Sequence, residues 1–290
     1  MYSTGASPLS VAVSDFNNDS QLDIVVANSF SNDVSVLLGY GDGSFANETR
    51  HSVGASPYCV VVGDFNNDTY FDIAVANSNS NDMSILLGYG NGSFVNETRY
   101  STGSSPYSIA VGDFNNDSRL DIVVANSKSD DVSVRLGYGN GSFANETRYS
   151  VGASPYSVTV GDVNNDTRFD IVAANSNSND VSILLGYGDG SFASQKVCST
   201  GADSQPYSIV ICDVNNDAML DIVVSNPGID GISLLVGYGN GTFSNMILIP
   251  MDYGSVPFYV TVADFNNDKK LDFAVLNDGT DSLSILLQTC

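Results

Sequence analysis

The chain has 290 residues, with 10 Lys and Arg against 33 Asp and Glu, for a formal charge of −23. Such a balance argues against nucleic acid and anionic membrane as direct partners, because both require a cationic surface. Charged residues are 15% and hydrophobic residues 42% of the total, so the carboxylates sit on an ordinary globular chain and not on a solvated acidic tail.

Met1-Tyr2 leads straight into repetitive sequence, and no apolar run approaches the roughly 18 residues of a membrane span. No signal peptide is read here, so the chain is expected to be a mature or truncated segment or a protein that is not exported. One histidine, His51, and no tryptophan leave few routes to His-based acid–base catalysis.

The string Asp-Phe/Val-Asn-Asn-Asp starts six times, at Asp15, Asp64, Asp113, Asp162, Asp213 and Asp264, in steps of 49, 49, 49, 51 and 51 residues. The third repeat is typical. Tyr107, Ile109 and Val111 alternate with Ser108, Ala110 and Gly112, which is the period of a strand. Residues 120–125 form a nearly continuous apolar run that suits a strand buried on both faces. Residues 132–138 predict a third strand, and residues 142–149 a more polar, exposed fourth. Asn140-Gly141 between them predicts a hairpin, since both residues accept positive φ.

Four antiparallel strands per repeat and six repeats predict an all-β, six-bladed β-propeller of four-stranded blades. A small residue precedes each motif (Ser14, Gly63, Gly112, Gly161, Cys212, Ala263), as crowded inner strands or a tight turn would require. The chain starts on residues typical of a fourth strand and stops after a third, a phase that suits closure with the N-terminus completing the last blade. The N-terminal contribution is short, so a fragment of a seven-bladed propeller is the alternative.

Within each repeat the acidic residues hold a fixed spacing. The sets are Asp15, Asn17, Asp19, Asp23; Asp64, Asn66, Asp68, Asp72; and Asp113, Asn115, Asp117, Asp121. The remaining three are Asp162, Asn164, Asp166, Asp170; Asp213, Asn215, Asp217, Asp221; and Asp264, Asn266, Asp268, Asp272. Oxygen ligands at positions 1, 3 and 5 of a curled loop converge, a backbone carbonyl at position 7 can join them, and the Asp at position 9 closes the cage. The carbonyls would come from Gln21, Tyr70, Arg119, Arg168, Met219 and Lys270, whose side chains vary freely. A cation taking 6–8 oxygens, Ca²⁺ before Mg²⁺, fits such a set, and up to six Ca²⁺ are expected. An EF-hand is excluded, because position 12 is Val26, Val75, Val124, Ala173, Val224 or Val275 and lies within a strand. Three carboxylates converging without a cation would repel, so metal and folding are expected to be linked.

The run DFNNDSQLDIVVAN followed by DVSVLLGYGDGSF resembles the FG-GAP/VCBS repeat of integrin-α-type propellers, and the likeness covers nearly the whole chain as a single domain, 1–290. The resemblance implies that each calcium loop joins strands one and two on one rim. It also implies an extracellular or cell-surface setting and a role in adhesion, protein binding or carbohydrate recognition. Family members often carry Gly after the third ligand; this chain has Ser20, Thr69, Ser118, Thr167, Ala218 and Lys269. The Lys269-Lys270 loop is expected to be the weakest site, because two cations flank it.

On the opposite rim, polar loops from Asn77 to Asp82 and from Asn175 to Asp180 lie near Ser-Pro-Tyr segments ending at Tyr58 and Tyr156. These could recognise a sugar or protein face, or the tyrosines could fill space between blades. Sequons at Asn47, Asn96 and Asn145, and further ones at Asn91, Asn140 and Asn240, would be glycosylation sites in a secreted protein. Cys59, Cys198, Cys212 and Cys290 occupy non-equivalent positions and predict no disulfide framework; Cys59 and Cys212 are read as small buried residues and Cys290 as a frayed end. An enzyme is disfavoured by the near-absence of His and by repeat uniformity, which breaks only around residues 198–206 and 226–232. The overall expectation is a non-catalytic interaction module stiffened by calcium, with a lectin-like propeller as the alternative.

Overall fold

The computed structural model describes residues 1–288; the expectation for Cys290 lies outside them. The chain is all-β, with one antiparallel sheet per repeat, and its class is the six-bladed β-propeller. Five sheets have four strands in sequence order, and the sixth has three among the described residues. One turn of 3₁₀ helix, Pro227–Ile229, falls where the fifth repeat departs from the consensus. Among the described residues no helix is long and apolar enough to cross a membrane.

The chain divides into two compact units, Met1–Arg148 and Tyr149–Cys290, with the boundary inside strand four of the third sheet. In the first unit the core lies between successive sheets. Val25, Val34 and Val36 of the first blade meet Ile73, Val75 and Leu86 of the second. Ala74, Ala76 and Ile85 of the second meet Ile109, Ile122 and Val124 of the third. The second unit repeats the plan: Val172 and Val181 of the fourth blade pack on Ile209 and Val224 of the fifth, and Val223 and Ile232 of the fifth pack on Val260 and Val275 of the sixth. This is why the second strand of each repeat is apolar on both faces. Asp72–Asn77 is buried at every position because a sheet covers each side of it.

The small residue before each motif is explained by crowding between sheets. A Cβ on Gly63 would lie 2.6 Å from Leu120 Cδ1 of the next blade, and one on Gly161 2.4 Å from Ile211 Cδ1. Cys212 occupies the same position in the fifth repeat and is buried, whereas Cys59 is half-buried against the third blade's core.

Strands three and four are shorter than the sequence predicts. In the third blade they span Asp131–Arg135 and Thr147–Ser150, joined through a lone bridge between Gly137 and Phe143. The reason is local. The Gly137 N–H is bonded to the Asp121 carboxylate at 2.8 Å, which turns the chain out of the sheet. Gly139 and Gly141 then take φ of +66° and +79°, so the connection is a wide loop and not a two-residue hairpin.

Candidate metal centre

Each Asp-x-Asn-x-Asp segment folds as one tight loop between strands one and two. In the first blade, Asp15 Oδ1 accepts the Asp19 N–H at 3.1 Å and Oδ2 the Ser20 N–H at 2.7 Å. Asn17 Oδ1 also accepts from the Asp19 N–H, its Nδ2 donates to Asp19 Oδ2, and Asp19 Oδ1 accepts the Gln21 N–H at 2.8 Å. The sixth loop keeps this pattern: Asp264 takes the Asp268 and Lys269 N–H groups, and Asp268 takes that of Lys270. The flanking lysines therefore leave the loop's fold intact.

This geometry forces the backbone into the left-handed region twice per loop. Asn18, Asn67, Asn116, Asn165, Asn216 and Asn267 at position 4 have φ of 57–60°. Position 6 has φ of 66° at Ser20, 74° at Thr69, 62° at Ser118, 68° at Thr167, 63° at Ala218 and 68° at Lys269. Asn tolerates such a conformation, but a β-branched Thr does so at a cost on the order of 1–2 kcal/mol. The chain accepts that strain where glycine would avoid it.

The Asp at position 9 has a different role from positions 1 and 5. Asp23 is fully buried; its Oδ2 accepts the Phe16 N–H at 2.8 Å and its Oδ1 the Gly39 N–H at 2.7 Å. Asp72, Asp121, Asp170 and Asp221 repeat both bonds. Asp272 bonds Phe265 and Gln288 in the same way. This aspartate thus ties the loop between strands one and two to the turn after strand three. Burial raises the pKa of Asp72, Asp121 and Asp170 to about 6, their backbone donors oppose the rise, and the loop carboxylates at positions 1 and 5 add to it. Asp23 and Asp221 are shifted upward by the same causes.

The side-chain donors are all oxygen, which suits a hard ion. The three carboxylates of a loop lie close enough that two raise the pKa of the third, a repulsion that a cation would relieve. Each bonded oxygen also retains acceptor capacity. Yet among the described residues no three acidic, His or Cys side chains converge as a ready-made cage. The loop oxygens are turned onto the loop's own N–H groups, and Arg119 and Arg168 stand 3.7 and 3.9 Å from Asp117 and Asp166. The donor chemistry fits calcium, and closing the cage would require side-chain rotation within a backbone already curled.

The loop is also fixed to the next blade. Phe16, Phe65 and Phe114 at position 2 are buried. Phe16 meets Phe94 edge-on at 5.6 Å and Phe65 meets Phe143 at 5.8 Å, while the carbonyls of Phe16 and Phe65 accept the N–H groups of Gly92 and Gly141.

At the opposite ends of the strands the tyrosines are half-buried and packed on one another. Tyr58 meets Tyr107 at 4.3 Å, and in the second unit Tyr207 lies 4.8 Å from Tyr156 and 3.8 Å from Phe258. His51 lies edge-on to Phe94 at 5.3 Å, and burial lowers its pKa.

One residue was missed by the sequence reading. Arg135 ends strand three of the third blade, where the other repeats have Leu37, Leu86, Leu184, Leu235 and Leu286, and it is only 7% exposed. A lone cation in an otherwise apolar run, VSVRLGY against VSVLLGY, was the available signal.

A model of the FG-GAP-like repeat matches residues 15–75, 64–124, 113–173, 162–224 and 213–275. The chain belongs to that repeat family. No curated protein matches it. Solved structures share the fold at low identity. One is an Agrocybe aegerita lectin described as recognising non-reducing terminal N-acetylglucosamine, at 18% identity and TM-score 0.62, with 97% of this chain and 80% of that one covered. Another is the virginiamycin B lyase of Staphylococcus aureus, at 13% identity and TM-score 0.65, covering 98% and 86%. A third is a 6-phosphogluconolactonase-like protein of Bacteroides uniformis, at 16% identity and TM-score 0.66, covering 95% and 83%.

Proposed function

We propose that this FG-GAP-repeat propeller is a calcium-stabilised, non-catalytic interaction module that acts outside the cell. The observation that carries the reading is a loop repeated six times, with three mutually repelling carboxylates on a backbone held at positive φ in two places. In the first loop Asp15, Asn17, Asp19 and the Gln21 carbonyl would hold the ion, with Asp23 closing the site while it clamps the backbone. The other five loops would use their equivalents. Calcium would supply charge neutralisation, taking the formal −23 to −11 if all six loops fill, and would hold the loops in register for display. Exposed sequon asparagines Asn47, Asn96 and Asn145 suit an extracellular setting. The edge-on packing of His51, the sole histidine, against Phe94 supports the non-catalytic reading.

The test is thermal unfolding in excess chelator and in millimolar Ca²⁺. Calcium should raise the midpoint by on the order of ten degrees, since several sites each contribute about 2–3 kcal/mol well above their Kd. An unchanged midpoint sinks the reading.

Carbohydrate is the second candidate ligand. It is favoured by the half-buried Tyr58 and Tyr107 beside the polar Ser56–Asn79 contact. A glycan array set against a protein pull-down separates the two.

A further inference from the structure

Arg135 is a buried cation inside a cleft that recurs between blades, and its contacts define what such a cleft accepts. Its Nη1 donates to the Ala144 carbonyl at 2.7 Å, and its Nη2 to the Ser101 carbonyl at 2.7 Å and the Ser101 hydroxyl at 3.2 Å. The guanidinium carbon lies 5.6 Å from the centre of the Tyr100 ring. Glu146 attracts it electrostatically, and Glu146 Oε2 is buried without a hydrogen-bond partner. The slot is thus walled by a ring and two carbonyls, with a carboxylate near the cation. That is a guanidinium's complement: planar, multidentate and able to stack.

The preceding cleft in the same unit has the corresponding residues and no arginine, with Glu97 Oε2 accepting the Ser84 hydroxyl. His51 stands for Tyr100, Ser52 for Ser101, Val95 for Ala144 and Glu97 for Glu146. The floor is Leu86, and a cavity of about 410 Å³ is lined by all five residues. This is within the roughly 300–1,000 Å³ of small-molecule sites. Arg50, at the edge of the cavity, is paired with Asp33, and burial disfavours charge on the His51 imidazole, so neither opposes an incoming cation strongly. In the second unit, the cleft of about 470 Å³ over Leu235 has Cys198 and Met246 in place of the ring and the carboxylate, and it lacks the recognition groups.

We propose that the cleft over Leu86 binds the guanidinium of an arginine side chain on a partner protein, in the place that Arg135 fills one blade later. The site uses none of the loop carboxylates and stands or falls independently of calcium.

His51 is the sole histidine, so its ring signals in NMR report on this cleft alone. Titration with ethylguanidinium at millimolar, non-denaturing concentrations and constant ionic strength should shift those signals saturably. Ethylammonium should bind about tenfold more weakly, lacking the planar fork. Leu86→Arg should abolish the response while the far-ultraviolet circular dichroism stays unchanged, and Glu97→Gln should weaken it severalfold. Arg135→Ala should lower the melting temperature, with partial recovery in ethylguanidinium and none in ethylammonium. If that variant does not fold, the wild-type His51 titration still decides. Non-saturating shifts, equal response to both cations, or a full response in Leu86→Arg would overturn the proposal.

Discussion

The two rims of this protein use the same residue types, Asp, Asn and Ser, to opposite electrostatic ends. Opposite the Asp-Asn loops, one carboxylate in each of the first three blades has a cation of its own: Asp33 pairs with Arg50, Asp82 with Arg99 at 2.6 Å and Asp131 with Arg148 at 2.6 Å. Asn28, Asn77 and Asn126 add a donor to the same carboxylates. On the loop rim, carboxylates face backbone N–H groups and one another, and the nearest arginines stand at 3.7 and 3.9 Å. One rim balances its charge from within the chain. The other gathers negative charge against backbone N–H groups, with its arginines farther off.

Four substitutions test that contrast. The largest effect belongs to Asp121→Ala, which strands the N–H groups of Phe114 and Gly137. Two lost charge-assisted bonds at buried donors should cost roughly 3–5 kcal/mol already in the chelated protein, and more with calcium present, measured as a shift in denaturant midpoint. Asp117→Asn should leave the chelated protein within about 0.5 kcal/mol of wild type, yet reduce the calcium-dependent rise in melting temperature. A full calcium response in that variant would erase the distinction between position 5 and the position-9 clamp.

His51→Tyr is a control that touches neither rim. Tyr2 accepts the Phe45 N–H at 3.0 Å, and Tyr100 and Tyr149 accept those of Phe143 and Phe192. His51 faces Phe94 from the same position, with its Nε2 buried and unpartnered. A tyrosine there should add about 1 kcal/mol and leave the calcium response unaltered. It should also remove a pH dependence. Burial holds the folded pKa of His51 below its ordinary value, so the unfolded chain takes up the proton first. Stability from this group is present above pH 6.5 and declines as pH falls below it. A wild-type midpoint that His51→Tyr leaves equally sensitive to acid between pH 7 and 5 would refute this assignment.

Arg99→Gln is the smallest effect. The arginine is about two-fifths exposed, so the loss should be at most about 1 kcal/mol, shrinking with added salt and indifferent to calcium. If calcium restored what that variant lost, the rims would not be electrostatically separate.

Much of this was legible in the chain itself. The apolar run at residues 120–125 identifies a strand buried on both faces, and burial of every residue of Asp121–Asn126 bears that out. The six acidic loops were legible as loops because Asp and Asn at fixed spacing have few other conformations available. Strands three and four are shorter than their sequence predicts, because nothing in LGYGNGSF says that Gly137 spends its N–H on Asp121, 16 residues back. The aspartates at positions 1, 5 and 9 are the same letter in sequence. Their division into two exposed or half-exposed loop acceptors and one buried clamp depends on which carboxylate the next turn covers.

The sequence by itself determined the repeat, the strand pattern and the concentration of carboxylate in six loops, because these rest on local periodicity and turn chemistry. Tertiary structure alone decided that Gly63 must be small, that Asp23 joins two loops, and that Arg135 lies in a slot of ring, carbonyls and carboxylate. Each of these is set by atoms brought together from distant parts of the chain, and a side chain's chemistry depends on what surrounds it once solvent is excluded.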